Sequence, residues 1–120
     1  MSCPFCGDLS PYLESNLAYV TFDLYPVSRG HSLIITKRHI SDYFDATDDE
    51  KTELWSLVDK AKIKLQEKYV PDAFNIGINC GEVAGQTVHH LHIHLIPRYK
   101  GDVTHPAGGV RGVIPEKKSY

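Results

Sequence analysis

Along the chain the period of the apolar positions changes from element to element, and each change marks a boundary. From Leu17 to Tyr25 (LAYVTFDLY) aromatic and β-branched residues run up to Pro26, which predicts a strand. Val27 to Gly30 makes a turn, and His31 to Thr36 (HSLIIT) reads as the next strand. The two predict an antiparallel hairpin with a longer loop. The period then becomes helical: Leu54, Leu57, Val58, Ala61 and Leu65 form one apolar stripe. Thr47-Asp48-Asp49-Glu50 fits a capping box, with Thr47 as N-cap and Glu50 reaching back. The helix ends near Tyr69, because Pro71 disfavours a helical Val70. At about twenty residues it is about 30 Å long, enough to lie across a small sheet. Phe74 to Asn79 (FNIGIN) alternates as a third strand, Asn79 to Gly85 is a glycine-punctuated turn, and Val88 to Ile96 is a fourth strand stopped by Pro97. The last twenty residues, GDVTHPAGGVRGVIPEKKSY, carry too many Gly and Pro for regular structure and are expected to pack over the surface or against a partner. The fold class is therefore α+β: an antiparallel sheet with one long helix on a face.

Length and composition narrow the class. The 120 residues make one domain, 1–120, with no linker or repeat before the tail. The balance of 13 basic and 15 acidic residues, 13 − 15 = −2, offers no basic field for nucleic acid or an anionic membrane. The first residues lack the basic and apolar regions of a signal peptide, and the apolar runs are far too short for a membrane span. Three cysteines are too few, and of the wrong parity, for a disulfide framework, so the expected location is cytoplasmic.

Chemistry concentrates in QTVHHLHIHLIPR, residues 86–98, where four of the chain's seven histidines fall within six positions. On a strand, residues two apart share a face. Val88, His90, His92, His94 and Ile96 then point one way, and His89, Leu91, Ile93 and Leu95 point towards the helix. A lone histidine is usually just tolerated in a strand. Three on one face, spaced about 6–7 Å apart beside a glycine turn and Gln86, mark a site. His89, on the packing face, reads as structural or half exposed.

Three in-line histidines span about 13 Å, too far for one ion with bonds near 2 Å. A better zinc set is the C-x-x-C pair Cys3 and Cys6 with His39 and His90, which would close a tetrahedron and anchor residues 1–16. The same cysteines also fit a plain pair of reduced thiols. A thioredoxin-like pair is disfavoured because no strand precedes residue 3. His92 and His94 remain for chemistry, and a histidine nitrogen is an effective nucleophile towards phosphorus. Asn79, Gln86, Thr87 and His94 lie where donors to a pentacovalent phosphate are needed. Gly77, Gly81 and Gly85 would let backbone N–H groups approach a phosphate, or are ordinary turn glycines; no P-loop motif is present. Asp23 is either a functional carboxylate or a solvated turn residue.

His90-Leu91-His92-Ile93-His94-Leu95-Ile96 resembles the H-φ-H-φ-H-φ-φ signature of the histidine triad (HIT) proteins, which are nucleotide hydrolases and transferases. Phe22-Asp23, Pro26 and Gly30-His31 resemble that family's first hairpin. Asn79, Gly81, Gly85-Gln86-Thr87-Val88 and Pro97-Arg98 resemble its approach to the triad and its exit. The resemblance covers nearly the whole chain. It implies a sheet of about five strands extended across a homodimer. It also implies a catalytic set in which His92 attacks the α-phosphate of a nucleotide to form a nucleotidyl-histidine. His94 would contact the phosphate and help protonate the leaving group, His31 would sit beside it, and Gln86 and Thr87 would orient nucleophile and phosphate. For nucleotide binding, Asp23 would hold the ribose hydroxyls and Asn79 the phosphate or ribose. Phe5 and Phe22 would line the nucleoside pocket. In zinc-bearing members the C-x-x-C pair ligates with two histidines, which implies the set already reached from spacing. The segment GDLSPYLESN after Cys6 is shorter than the family's usual one. Gly108-Gly109-Val110-Arg111 resembles the tail of bacterial diadenosine polyphosphate hydrolases, where Arg111 would approach distal phosphates or be a surface arginine. The expected activity is hydrolysis of dinucleoside polyphosphates, with a divalent cation able to accompany the polyphosphate. The alternatives are a purine nucleoside phosphoramidase or nucleotidyltransferase using the same adduct, a non-catalytic nucleotide-binding regulator, and a zinc-binding interaction module.

Overall fold

The computed structural model describes residues 3–7 and 9–120; Met1, Ser2 and Asp8 of the N-terminal segment lie outside the described residues. Five strands, β1 (Leu13–Glu14), β2 (Ala18–Phe22), β3 (Ser32–Thr36), β4 (Ala73–Gly77) and β5 (His92–Arg98), form one sheet in the order β1-β2-β3-β5-β4. All pairings are antiparallel. Helix α1 (Asp48–Tyr69) connects β3 to β4 and lies on one face. Among the described residues no helix is long and apolar enough to cross a membrane.

The helix begins and ends where the capping box and the proline predict. Thr47 Oγ1 accepts from the Glu50 amide at 3.1 Å, and Glu50 Oε1 accepts from the Thr47 amide at 2.9 Å. Asp48, Asp49 and Glu50 place negative charge at the positive end of the helix dipole. At the other end Val70 leaves the helix with φ 51° and ψ 54°, a left-handed geometry that is costly for a β-branched residue. Leu54, Leu57, Val58, Ala61 and Leu65 are buried against Ala18, Val20, Ile34, Leu91, Ile93 and Leu95 of the sheet face. Glu50 has a second task. Its carboxylate accepts a fork from Arg38, Nη2 at 2.8 Å and Nε at 3.1 Å, and this holds it ionised below the usual carboxylate range. The loop after β3 is thereby tied to the start of α1.

Several boundaries differ from the sequence expectation: β2 stops at Phe22 rather than Tyr25 and β4 at Gly77 rather than Asn79. Strand β1 is only two residues, too short to show a period. Strand β5 starts at His92 rather than Val88, because the stretch before it is held by the end of β3 and the loop that follows. The Leu91 amide donates to the Ile40 carbonyl at 2.7 Å, and His90 Nε2–H donates to the Thr36 carbonyl at 2.7 Å. His90 therefore sits ahead of the ladder and the expected row of three in-line histidines is a pair. Strand β5 also runs through Pro97, which pairs with Phe74. The missing N–H does no harm there. The β3 ladder ends at Leu95, and the Pro97 carbonyl on that side accepts from Ser28 Oγ at 2.7 Å. The tail, expected to be irregular, contains two 3₁₀ turns, Gly109–Val113 and Pro115–Lys117, the first packed against β4.

Candidate active site

The sheet face away from the helix carries the site. Register places Tyr19, Ile35 and His92 in one cross-strand row, and Thr21, Leu33, His94 and Gly77 in the next. Tyr19, Leu33 and Ile35 form a small apolar cluster with Phe5 and Leu9 on this side. His92 and His94 thus stand on an interior strand, paired on both sides, over an apolar floor, with ring centroids 5.0 Å apart.

Backbone partners decide which nitrogen of each histidine carries its proton. His92 Nδ1 lies 2.7 Å from the His90 carbonyl, which can only accept. Nδ1 therefore bears the proton, and the lone pair of the ring's neutral form is at Nε2. The Val27 amide, which can only donate, reaches His31 Nδ1 at 3.1 Å. The proton of His31 is then on Nε2, 3.0 Å from His94 Nδ1 and 3.5 Å from Asp23 Oδ2. His94 accepts at Nδ1 and carries its own proton on Nε2. The pair His92 and His94 consequently offers opposite chemistry side by side: a lone pair on one ring and an N–H donor on the other. Burial, then the neighbouring His92 and His31, lowers the His94 pKa to about 4, with Asp23 opposing. Burial also lowers His31. Both are neutral near pH 7, as this chain of hydrogen bonds requires.

The second cluster lies at the N-terminal end of β5. Cys3 Sγ is 3.3 Å from His90 Nδ1, Cys6 Sγ is 3.5 Å from the same atom, and Cys6 Sγ is 3.1 Å from His39 Nδ1. The four ligating atoms lie within 4.8 Å of one another. For Zn–S near 2.3 Å and Zn–N near 2.0–2.1 Å, a tetrahedron sets sulfur and nitrogen about 3.5 Å apart. His90 spends its Nε2 proton on the Thr36 carbonyl, so Nδ1 faces the sulfurs with its lone pair. The Cys6 thiol is pushed up by its hydrogen bond with Cys3 and by burial, a like-acid pair that a divalent cation would relieve. The donor set fits zinc. Asp23, His31 and His94 also lie within 4.8 Å of one another, but the Val27 amide puts a proton on His31 Nε2, where a metal would need a lone pair.

The remaining expected residues are distributed around these two centres. Gln86 is buried, and every polar position of its amide is taken by backbone. Oε1 accepts from the Gly81 amide at 2.9 Å, and Nε2 donates to the Ser41 and Val88 carbonyls at 2.9 and 3.1 Å. It shapes the turn that precedes the histidines. Within that turn Gly81 and Gly85 have φ of 99° and 101°, conformations natural only to glycine. Thr87 and His89 are exposed and Asn79 is half-buried. Asp23 is at once a turn residue, accepting from the Tyr25 amide at 2.9 Å, and a neighbour of His31. Phe5 packs edge-to-face on His92, whereas Phe22 stacks on Tyr12 on the helix side of the sheet. Arg111 is engaged within the tail by the Lys117 carbonyl at 2.7 Å and the Tyr120 ring. Two contributors carry no sequence signal: the Val27 amide, because any residue has one, and Tyr19, whose hydroxyl donates to the Phe5 carbonyl. A groove of about 660 Å³ opens beside His31 and His94 and runs under the tail past Asn79, Ile96, Val110 and Lys118. It has the size of a small-molecule site.

Comparison with protein families matches the HIT domain over residues 11–101, more than half of the chain. The chain belongs to the histidine triad family. This HIT domain is 38% identical over 90 residues to AP-4-A phosphorylase of Mycobacterium tuberculosis, covering 74% of this chain and 46% of that one. It is 37% identical over 91 residues to the asymmetrical bis(5'-nucleosyl)-tetraphosphatase of Schizosaccharomyces pombe, covering 76% of this chain and 50% of that one. The chain thus spans about half the length of both relatives. Among solved structures, a HIT family protein from Bacillus anthracis superposes with a TM-score of 0.78 at 36% identity, over 83% of this chain and 75% of that one. A Zn-bound histidine triad family protein from Mycobacterium smegmatis superposes with a TM-score of 0.76 at 31% identity, over 84% of this chain and 78% of that one.

Proposed function

We propose that this HIT domain hydrolyses dinucleoside polyphosphates at the α-phosphate through a nucleotidyl-histidine on His92. One observation carries the reading: the backbone carbonyl of His90 holds the His92 proton on Nδ1 and leaves Nε2 as a free lone pair beside a donor on His94. In the first step Nε2 attacks the α-phosphorus, a P–N bond forms, and the P–O bond to the departing nucleoside polyphosphate breaks. His94 Nε2–H donates a hydrogen bond to the bridging oxygen as charge builds on it. A phosphate anion is a weak base, so it departs without needing a full proton. The adduct retains the Nδ1 proton and is cationic, and the His90 carbonyl stabilises that charge. In the second step water attacks phosphorus, the P–N bond breaks, and His92 returns to its neutral form with release of a proton and a nucleoside monophosphate.

Asp23, 3.5 Å from His31, would hold the ribose hydroxyls, and Asn79, which lines the groove beside His31 and His94, would hold phosphate or ribose. Thr87, exposed ahead of the triad, would orient the phosphate; Phe22, stacked on Tyr12 on the opposite face of the sheet, takes no part. Gln86 acts through the turn it organises. Zinc held by Cys3, Cys6, His39 and His90 would contribute structure, joining the N-terminus to the strand that carries the nucleophile; likeness to a Zn-bound relative supports this. The homodimer belongs to the same proposal and is tested by sedimentation.

The deciding experiment is intact mass spectrometry after rapid denaturing quench during turnover of diadenosine tetraphosphate, beside His92→Gly. The expected result is an added AMP on the wild type, none on the variant, and a turnover loss of about 10³-fold or more with nucleotide binding retained. AMP and ATP formed without any adduct would replace this mechanism with direct attack by water. Likeness to AP-4-A phosphorylase adds one arm: including inorganic phosphate shows whether the adduct passes to water or to phosphate.

A further inference from the structure

We propose that Phe5 is a positioning residue for the nucleophile, resting on the reading of His92 above. The hydrogen bond from His92 Nδ1 to its own strand's carbonyl sets the tautomer, yet a single bond leaves the imidazole plane loosely determined. Histidine χ2 is a soft, roughly two-fold torsion. Two rings close that freedom. His94 stands edge-on at a centroid distance of 5.0 Å and 67°, and Phe5 does so at 4.9 Å and 75°. His94 belongs to the same strand and would be there in any triad. Phe5 comes from the N-terminus, 87 positions earlier in the chain than His92, and has to be brought in.

What brings it in is the knuckle it belongs to. Phe5 lies between Cys3 and Cys6, and the Cys6 amide closes that turn on the Cys3 carbonyl at 3.2 Å. The two thiols face His90 and His39. The Phe5 carbonyl accepts a hydrogen bond from Tyr19 Oη. The Phe5 ring joins Tyr19, Leu33 and Ile35 and also approaches His90 edge-on at 6.1 Å. One side chain thus touches both a ligand of the cysteine–histidine cluster and the nucleophile. Loosening the knuckle would free the plane of His92 while leaving ribose and phosphate contacts intact. The predicted consequence is a defect in turnover rather than in substrate binding, because attack geometry is sensitive to shifts near 1 Å.

The test uses the zinc-loaded full chain with Phe5→Ala, Phe5→Leu and Phe5→Tyr. Three quantities are read: steady-state constants with diadenosine tetraphosphate, zinc per chain, and the NMR signals of the His92 ring protons. In Phe5→Ala, kcat is expected to fall about 10²-fold, with KM changed less than about twofold and zinc content unaltered. The His92 ring signals should move as the aromatic ring current is lost. Phe5→Leu keeps bulk and should fall between, and Phe5→Tyr should restore kcat to near the wild-type value. Chelating the zinc of the wild type should displace the same His92 signals. A raised KM with unchanged kcat would overturn the proposal and assign Phe5 to the nucleoside pocket. Loss of zinc together with activity in Phe5→Ala would reduce Phe5 to a structural role. If the wild type cleaves no nucleotide, the hydrolase reading fails separately. The NMR comparison then decides this one, and unshifted His92 signals in Phe5→Ala would end it.

Discussion

Two clusters in this molecule look alike by distance and differ in chemistry. Cys3, Cys6, His39 and His90 bring four ligating atoms together, and Asp23, His31 and His94 bring three, in each case within 4.8 Å. Separations near 3.0–3.5 Å suit the edges of a metal tetrahedron and suit hydrogen bonds equally well. The distinction comes from a third atom outside each cluster. At His90 a carbonyl takes the distal proton and turns the lone pair inward. At His31 an amide donates a hydrogen bond to the distal nitrogen, which leaves the ring's own N–H facing inward. The first cluster is ready for a cation, the second is already closed by a relay of hydrogen bonds. Proximity of ligand types says where chemistry is concentrated; the backbone partner of each imidazole says which chemistry it is.

The largest separation between the two should appear on removing a ligand. Cys3→Ser is expected to abolish zinc binding, measured as metal per chain after dialysis. With zinc at a thousand times its Kd the lost stabilisation is about 4 kcal/mol, seen as a lower Tm in calorimetry. The relay should survive, so His31 and His94 NMR signals should stay near their places. Zinc retained at one per chain in Cys3→Ser would break the comparison.

Acid should act next, and on the relay. His94 has a folded pKa of about 4, lowered from 6.5, so the unfolded chain binds its proton first as pH falls. The stability that a neutral His94 contributes is complete above pH 6.5 and is lost progressively between 6.5 and 4. The size is up to about 3 kcal/mol from a shift of this extent, less whatever solvent screens. Denaturant unfolding across that range should show the slope in wild type and a flatter one in His94→Asn. Equal slopes would mean the ring is not held neutral.

The smallest effect concerns one hydrogen bond. Val27→Pro removes the amide that sets the His31 tautomer, at a cost of about 1 kcal/mol. His31 Nε2 could then offer a lone pair beside Asp23 and His94. Isothermal titration should find one zinc per chain in wild type and a second, weaker equivalent in the variant. A single equivalent in a variant with native circular dichroism would show that something other than Val27 keeps metal out.

Much of the scaffold was legible before any coordinates. The capping box at Thr47, the apolar stripe through Leu65, and the halt before Pro71 each rest on residues within a few positions of one another. The structure reproduces them to the residue or nearly so. The quartet Cys3, Cys6, His39 and His90, which the structure brings together, was legible too, because ligand chemistry limits the partners of a C-x-x-C pair. Other features were illegible for a common reason: they depend on contacts between distant segments. Nothing near Val88 reveals that the Ile40 and Thr36 carbonyls will hold Leu91 and His90 out of the ladder. Gln86 carries no local mark that its amide will be spent on Gly81, Ser41 and Val88.

By itself the sequence determined the inventory and the periods: which residues can ligate, attack or donate, and which face of each element turns inward. These follow from covalent chemistry and from repeats of two and 3.6 residues, which are local. Only the tertiary structure decided what each imidazole does with its proton. That choice belongs to partners such as the Val27 amide and the carbonyls of Thr36 and His90, and, except where the partner is two residues away, folding alone brings them into place.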